Sequence, residues 1–339
     1  MTWLAIWDSS RLIHPKRPAR APDLSIGALI FEARLRPGRG VPVVIWQGRT
    51  GTAADFRVIH YPNGTVSVEH GGFSFETGPG FLSGGDPLHL HYSWDILGRA
   101  DALILENTES GDRLATPVGP LYIDDPRTLL PGPQEARVSI DFAGIANHFV
   151  PAVPLPGIAT GACIATPDGP RAIETLAPGM LVETVSRGPQ PIRWIGRTEP
   201  LARGHTAPIE MRAPYFGLTG DICVARNQRI LLSGPDIEYL FGEDDVLARA
   251  GDLVNGRSAR LTMTQATRVY HQVLLDDHDC LIAGRCRMES VLLGDVLAAQ
   301  GKSADKLEEA DRLAAWPTLD RASAQSYLAL LGANGRIAA

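Results

Sequence analysis

From about Leu24 to Asn107, apolar and polar residues alternate with a period of two in short runs broken by turn formers, which predicts consecutive β-strands. Ala28–Leu35 and Val41–Trp46 flank a Pro-Gly-Arg-Gly turn. Phe56–Tyr61 and Thr65–His70 flank Pro62-Asn63-Gly64, and Asn-Gly between alternating segments predicts a tight hairpin. In Leu88–Asp95 the alternation puts Leu88, Leu90, Tyr92 and Trp94 on one face. His89, His91 and Ser93 fall on the other, which the pattern assigns to solvent. Ala102–Glu106 closes the series. Short strands with no helix between them predict an antiparallel β-sandwich.

Pro126, Pro131, Pro133, Pro151, Pro154 and Pro156 then predict an extended spacer, within which Val138–Phe142 can add one short strand. Beyond Gly157 the strand pattern returns, with turn signals at Pro167-Asp168-Gly169, Pro178-Gly179, Arg187-Gly188-Pro189 and Ser233-Gly234-Pro235. Only Ser303–Ala315 and Ala322–Leu331 read as helices. The expected fold class is mainly β, in four parts. A β-sandwich spans 1–125, a proline-rich linker 126–156, a second all-β domain 157–298 and a helical extension 299–339.

Composition agrees with many short strands, since Gly (35) and Pro (26) run above average usage while charged residues are 21%. The formal charge of −6 lacks the basic footprint of a nucleic-acid binder. No apolar run reaches the roughly 20 residues of a membrane span. The opening MTWLAIWDSS has no basic region ahead of its apolar stretch, so the expected location is the cytoplasm by default, with signal-less export left open. Cys163, Cys223, Cys280 and Cys286 form no C-x-x-C pair and read as free, mostly buried thiols.

The second half carries blocks that resemble the Hint module of hedgehog autoprocessing domains and inteins, in its bacterial form. They are Gly161–Thr184, Gly188–Arg197, Val224–Leu232, Leu240–Leu247, Leu253–Ser258 and Tyr270–His278, in family order. The resemblance implies a compact all-β unit whose first residue, Cys or Ser, attacks the preceding carbonyl to give a thioester or ester. It also implies a Thr-x-x-His element that protonates the amide, and a late histidine. Here Gly157 stands at the nucleophile position, six residues before Cys163, and Ala225 and Gln228 replace Thr and His. His278 matches the late histidine, with no His-Asn ending after it. Cys163 is the alternative nucleophile, although its place at the start of a strand predicts a buried core thiol.

The resulting expectation is a Hint-domain protein without autocleavage, acting as a binding or interaction module. The alternative is self-cleavage near Gly157 through a (thio)ester. The first half resembles, by pattern, a concanavalin or laminin-G jelly roll, which implies a glycan or protein ligand at its loops. His89 and His91 are spaced to chelate a metal, with His70 as a candidate third ligand. The outer-face reading is preferred, and no metal or cofactor is expected. Gly242–Asp245 reads as a turn between strands rather than an acid pair.

Overall fold

The computed structural model describes residues 3–8, 11–13, 25–36, 38, 40–50, 54–95, 101–118, 129, 137–299 and 313–333. The chain divides into two compact units, Met1–Ala152 and Val153–Ala339.

The first unit is built from eleven strands among the described residues. They are β1 (Trp3–Asp8), β2 (Arg11–Ile13), β3 (Ile26–Leu35), β4 (Val43–Thr50), β5 (Ala54–His60) and β6 (Val66–His70). There follow β7 (Phe73–Glu76), β8 (Pro87–Asp95), β9 (Ala102–Asn107), β10 (Arg113–Pro117) and β11 (Val138–Ala146). Seven form one sheet in the order β10-β9-β8-β3-β11-β1-β2, and β4-β5-β6-β7 form a second. All pairings are antiparallel. Leu29, Phe31 and Ala33 join Leu88, Leu90, Tyr92 and Trp94 from the large sheet in one core with Trp46, Phe56, Val58, Val66 and Val68 from the small one. This is the sandwich that the alternation predicts.

The Asn63-Gly64 hairpin forms between β5 and β6, with Gly64 at φ +84. A Cβ there would also come within 2.8 Å of the Gly80 backbone. The expected spacer differs from a linker over its second half, because Val138–Ala146 pairs with both β1 and β3 in the large sheet. Its reason is legible afterwards. No proline lies between 134 and 150, and Ile140, Phe142, Ala143 and Ile145 are apolar enough to be buried.

The outer-face assignment of His89, His91 and Ser93 is overturned, since all three are buried. They do lie opposite the Leu88–Trp94 face, but that second face also carries buried Ile6, Ile30, Ile104 and Phe142. Alternation sorts residues between faces without saying that one face is wet. His89 Nδ1 lies 3.6 Å from Glu32 Oε1, a carboxylate equally buried and directly opposite in register. His70 is on the other side, hydrogen-bonded through Nε2 to the Tyr92 hydroxyl at 2.6 Å and packed between Phe56 and Phe73. Burial pushes its pKa down. His70 therefore cannot complete a metal site with His89 and His91.

The second unit opens with β12 (Ile158–Ala159), β13 (Cys163–Ile164), β14 (Arg171–Ala172), β15 (Leu181–Thr184) and β16 (Gly188–Thr198). Next come β17 (Ile209–Met211), β18 (Ile222–Val224), β19 (Arg229–Ser233), helix α1 (Pro235–Phe241), β20 (Asp245–Arg249) and β21 (Ala259–Leu261). It closes with β22 (Tyr270–Leu275), β23 (Cys280–Ala283), β24 (Cys286–Glu289), α2 (Leu293–Ala299) and α3 (Arg321–Ala333). One antiparallel sheet runs β20-β19-β24-β23-β15-β16-β22-β12-β18-β17-β21, with β13 and β14 attached at β23. Ile164, Val182, Ile209, Val224, Ile230, Val273 and Leu281 are among the residues of its core.

The Ser233-Gly234-Pro235 turn signal proves to be the start of a short helix. Proline's fixed φ suits the first helical turn, and Gly242 ends α1 in the left-handed conformation at φ 70. Gly242–Asp245 thus links a helix to β20 rather than two strands. The expected helix Ser303–Ala315 lies mostly outside the described residues, and 313–315 are not helical. No helix among the described residues is long and apolar enough to cross a membrane.

Trp46 stacks on Phe31 with ring centroids 4.4 Å apart and donates its indole N–H to the Leu129 carbonyl at 3.0 Å. Trp46→Ala is expected to lose about 3–5 kcal/mol in urea denaturation of the full chain. Trp46→Phe keeps the stack and is expected to lose less; equal losses would show that the ring contact contributes little.

Candidate functional site

The start of the second unit is where the expected chemistry converges. β12 is only two residues long and lies between β18 and β22, with Ile158 opposite Val224 on one side and His271 on the other. The Gly157 carbonyl accepts the Ala225 N–H at 2.8 Å, and Asn227 Nδ2 donates to the Pro154 carbonyl at 2.7 Å. Val153–Pro156 borders a cleft of about 250 Å³ whose other walls include Asn227, Arg229, Arg249 and Asp295. The backbone leading into residue 157 is therefore held at Pro154 and Gly157 by the turn that follows β18.

At 157 itself there is no room for a side chain. A Cβ would lie 2.8 Å from Tyr270 Cβ and 2.8 Å from Gln272 Nε2, both on β22. The Gln272 amide could swing aside, but Tyr270 Cβ is fixed to the strand backbone. Relief would need β12 and β22 to separate. Beside this contact, Tyr270 Oη and Gln272 Oε1 are buried with no hydrogen-bond partner among the described residues. Burial holds the Tyr270 phenol well above its usual range and also raises the Cys223 thiol.

The two other replaced positions are structural. Ala225 ends the β18 turn, where its carbonyl accepts the Gln228 N–H at 2.9 Å. Gln228 is buried, and its amide Nε2 donates to the carbonyls of Arg229 and Glu289, each at 3.0 Å. It cross-links strands where the resemblance implies a proton donor.

His278 is committed on both ring nitrogens. Nε2 pairs with Glu289 Oε1 at 2.9 Å, while Nδ1 accepts the Ala315 N–H at 3.1 Å. The Ala315 donor requires Nδ1 to be unprotonated, so the neutral ring carries its proton on Nε2 and donates it to Glu289. Glu289 is also bound by Arg229 Nε, and Arg229 Nη2 reaches Asp295 at 2.9 Å. Burial raises the Asp295 pKa, against the pull of the Arg229 guanidinium.

Cys163 is exposed, contrary to the expected core thiol, with its β13 backbone paired to Ala172. The apolar strand position beside it, Ile164, takes the buried side instead. Cys280 and Cys286, on the paired strands β23 and β24, are buried, and their thiol pKa values are pushed up by burial.

The histidine that the fold brings to the junction is His271, which motif matching passed over. It faces Ile158 across β12–β22, and its Nε2 lies 3.0 Å from Thr160 Oγ1. Glu174, on a short turn at Ile173–Thr175, accepts the Gly161 N–H at 2.9 Å. Burial lowers the His271 pKa; the Glu174 charge opposes that shift and Arg197 adds to it. Only the pairing of residues 158–159 with 270–271 reveals this group, and pairing between distant blocks is not written in either block.

Residues 156–295 match the family described as the Hint domain. No curated protein matches the chain in sequence. Among solved structures, the MchDnaB-1 intein is 14% identical over 39% of this chain and 98% of its own, at a TM-score of 0.28. A toad ovary galectin in complex with N-acetylgalactose is 14% identical over 36% of this chain and 82% of its own, at 0.21. Trypanosoma rangeli sialidase is 15% identical over 37% of this chain and 21% of its own, at 0.25.

Because the His271 pKa is depressed, this group's contribution to stability is fully present above its ordinary value of 6.5 and is lost as pH falls below it. Glu174→Gln removes the charge that supports the imidazolium. NMR titration of the His271 ring is expected to show a lower pKa in this variant; an unchanged value would remove Glu174 from the site.

Proposed function

This chain carries a Hint domain over residues 156–295, and from that premise we propose that the domain serves as a folded binding or interaction module that has lost its family's junction chemistry. The observation that carries this reading is the closed contact at Gly157. A (thio)ester needs a side-chain nucleophile on the residue after the attacked carbonyl, and here both the side chain and the space for one are missing. Gln228 and His278 support the same reading, since the first spans two backbone carbonyls and the second has both nitrogens engaged. What remains is the grip on the junction backbone by Ala225 and Asn227. That grip would equally suit the alternative, a domain that cuts itself near Gly157.

In this reading the N-terminal sandwich provides the ligand surface, for a glycan or a protein. The test is an intact-mass time course on freshly purified protein with and without dithiothreitol and hydroxylamine. A single species near 36.5 kDa throughout is expected. Fragments cut anywhere between Pro156 and Cys163 would overturn the reading in favour of autoprocessing, with the exposed Cys163 as the first nucleophile to mutate.

A further inference from the structure

We infer that Thr160, His271 and Glu174 form a hydroxyl acyl-acceptor site that takes activated carboxylic esters from solution. It is separate from the family's first-residue position and goes beyond the proposed function. The three side chains come from three elements: the turn after β12, strand β22 and the Ile173–Thr175 turn. Thr160 is exposed, and Gly161 follows it at φ +92. His271 is held in a strand with its ring largely buried, and its Nε2 stands 3.0 Å from Thr160 Oγ1. Glu174 is fixed by the Gly161 N–H, the amide next to the hydroxyl-bearing residue.

The charges around the imidazole are those a general base requires. Burial keeps the ring neutral near pH 7, so Nε2 can accept a proton. Glu174 stabilises the imidazolium once it forms. The opposing charge is Arg197, across from His271 on β16, and it is partly offset by Glu199 at 3.5 Å. Among the described residues, Thr160 bonds the ring, and Glu174 and Arg197 are the charges that act on it.

With an activated ester, Thr160 Oγ1 attacks the acyl carbon. The Oγ1–C bond forms, the bond from that carbon to the leaving alkoxide oxygen breaks, and the Oγ1 proton passes to His271 Nε2. His271 passes that proton to the departing alkoxide and returns to neutral, so that it can act as base again in hydrolysis. Water loses a proton to the neutral imidazole as it attacks the threonine ester, the acid is released and Oγ1 regains a proton. A secondary hydroxyl is a weak nucleophile, which restricts the substrates to esters with good leaving groups.

The test uses the full chain and p-nitrophenyl acetate, with peptide mapping of the acetylated residue. Acetylation at Thr160 is expected, retained in Thr160→Ser and abolished in Thr160→Val. His271→Gln is expected to slow it by roughly 10²-fold, the usual contribution of a positioned base. In Glu174→Gln the pH–rate profile is expected to move to lower pH with the fold intact by circular dichroism. Absence of label on Thr160, or a rate unchanged in His271→Gln, would overturn the proposal. Neither result bears on whether the chain cuts itself at 157, which the mass of the untreated protein reports.

Discussion

The second unit depends on one close approach, that of Gly157 to β22. A glycine lets the start of β12 lie against Tyr270 and Gln272, and the pairing that follows brings Ile158 opposite His271 and Val224. Here glycine is required by packing, not by a left-handed backbone. The same absence of a Cβ that permits the contact removes the nucleophile that a Hint junction would use. The three other positions that the resemblance singles out all have structural partners. Ala225 and Gln228 hold backbone, and His278 anchors a charge cluster.

In that cluster His278 has a structural task, because both of its ring nitrogens are engaged. Glu289 is buried and would be destabilising alone; His278 and Arg229 satisfy its two oxygens, and Arg229 passes the connection to Asp295 on α2. Through Nδ1 the same imidazole ties down the Ala315 backbone. Helix α2 and the segment before α3 are therefore fixed to the sheet by polar contacts centred on one buried carboxylate.

Much of this architecture is legible in the chain. The Asn63-Gly64 hairpin and the core face Leu88–Trp94 follow from local pattern, and the ordered blocks from Gly161 to His278 from the resemblance they carry. What is not legible is what distant segments do to one another. His89 and His91 alternate as an exposed face should, yet they are buried with Glu32 on a face that also carries Ile6, Ile30, Ile104 and Phe142. Val138–Phe142 reads as one short strand within a spacer because prolines flank a short apolar run, whereas pairing with β1 and β3 extends it to Ala146 and makes it part of the large sheet. His271 stands in a quoted block with no mark of distinction, because its partner Thr160 is brought to it by strand register. Cys163 fails for the opposite reason: a two-residue strand offers one buried position, and Ile164 takes it.

The central claim is that position 157 is closed, and Gly157→Cys tests it most directly. The account predicts a loss of about 1–3 kcal/mol in unfolding free energy, as for an overpacked site, and no cleavage when dithiothreitol is added. A variant as stable as the parent that splits at Pro156–Cys in dithiothreitol would contradict it, showing that the junction lacks only its nucleophile.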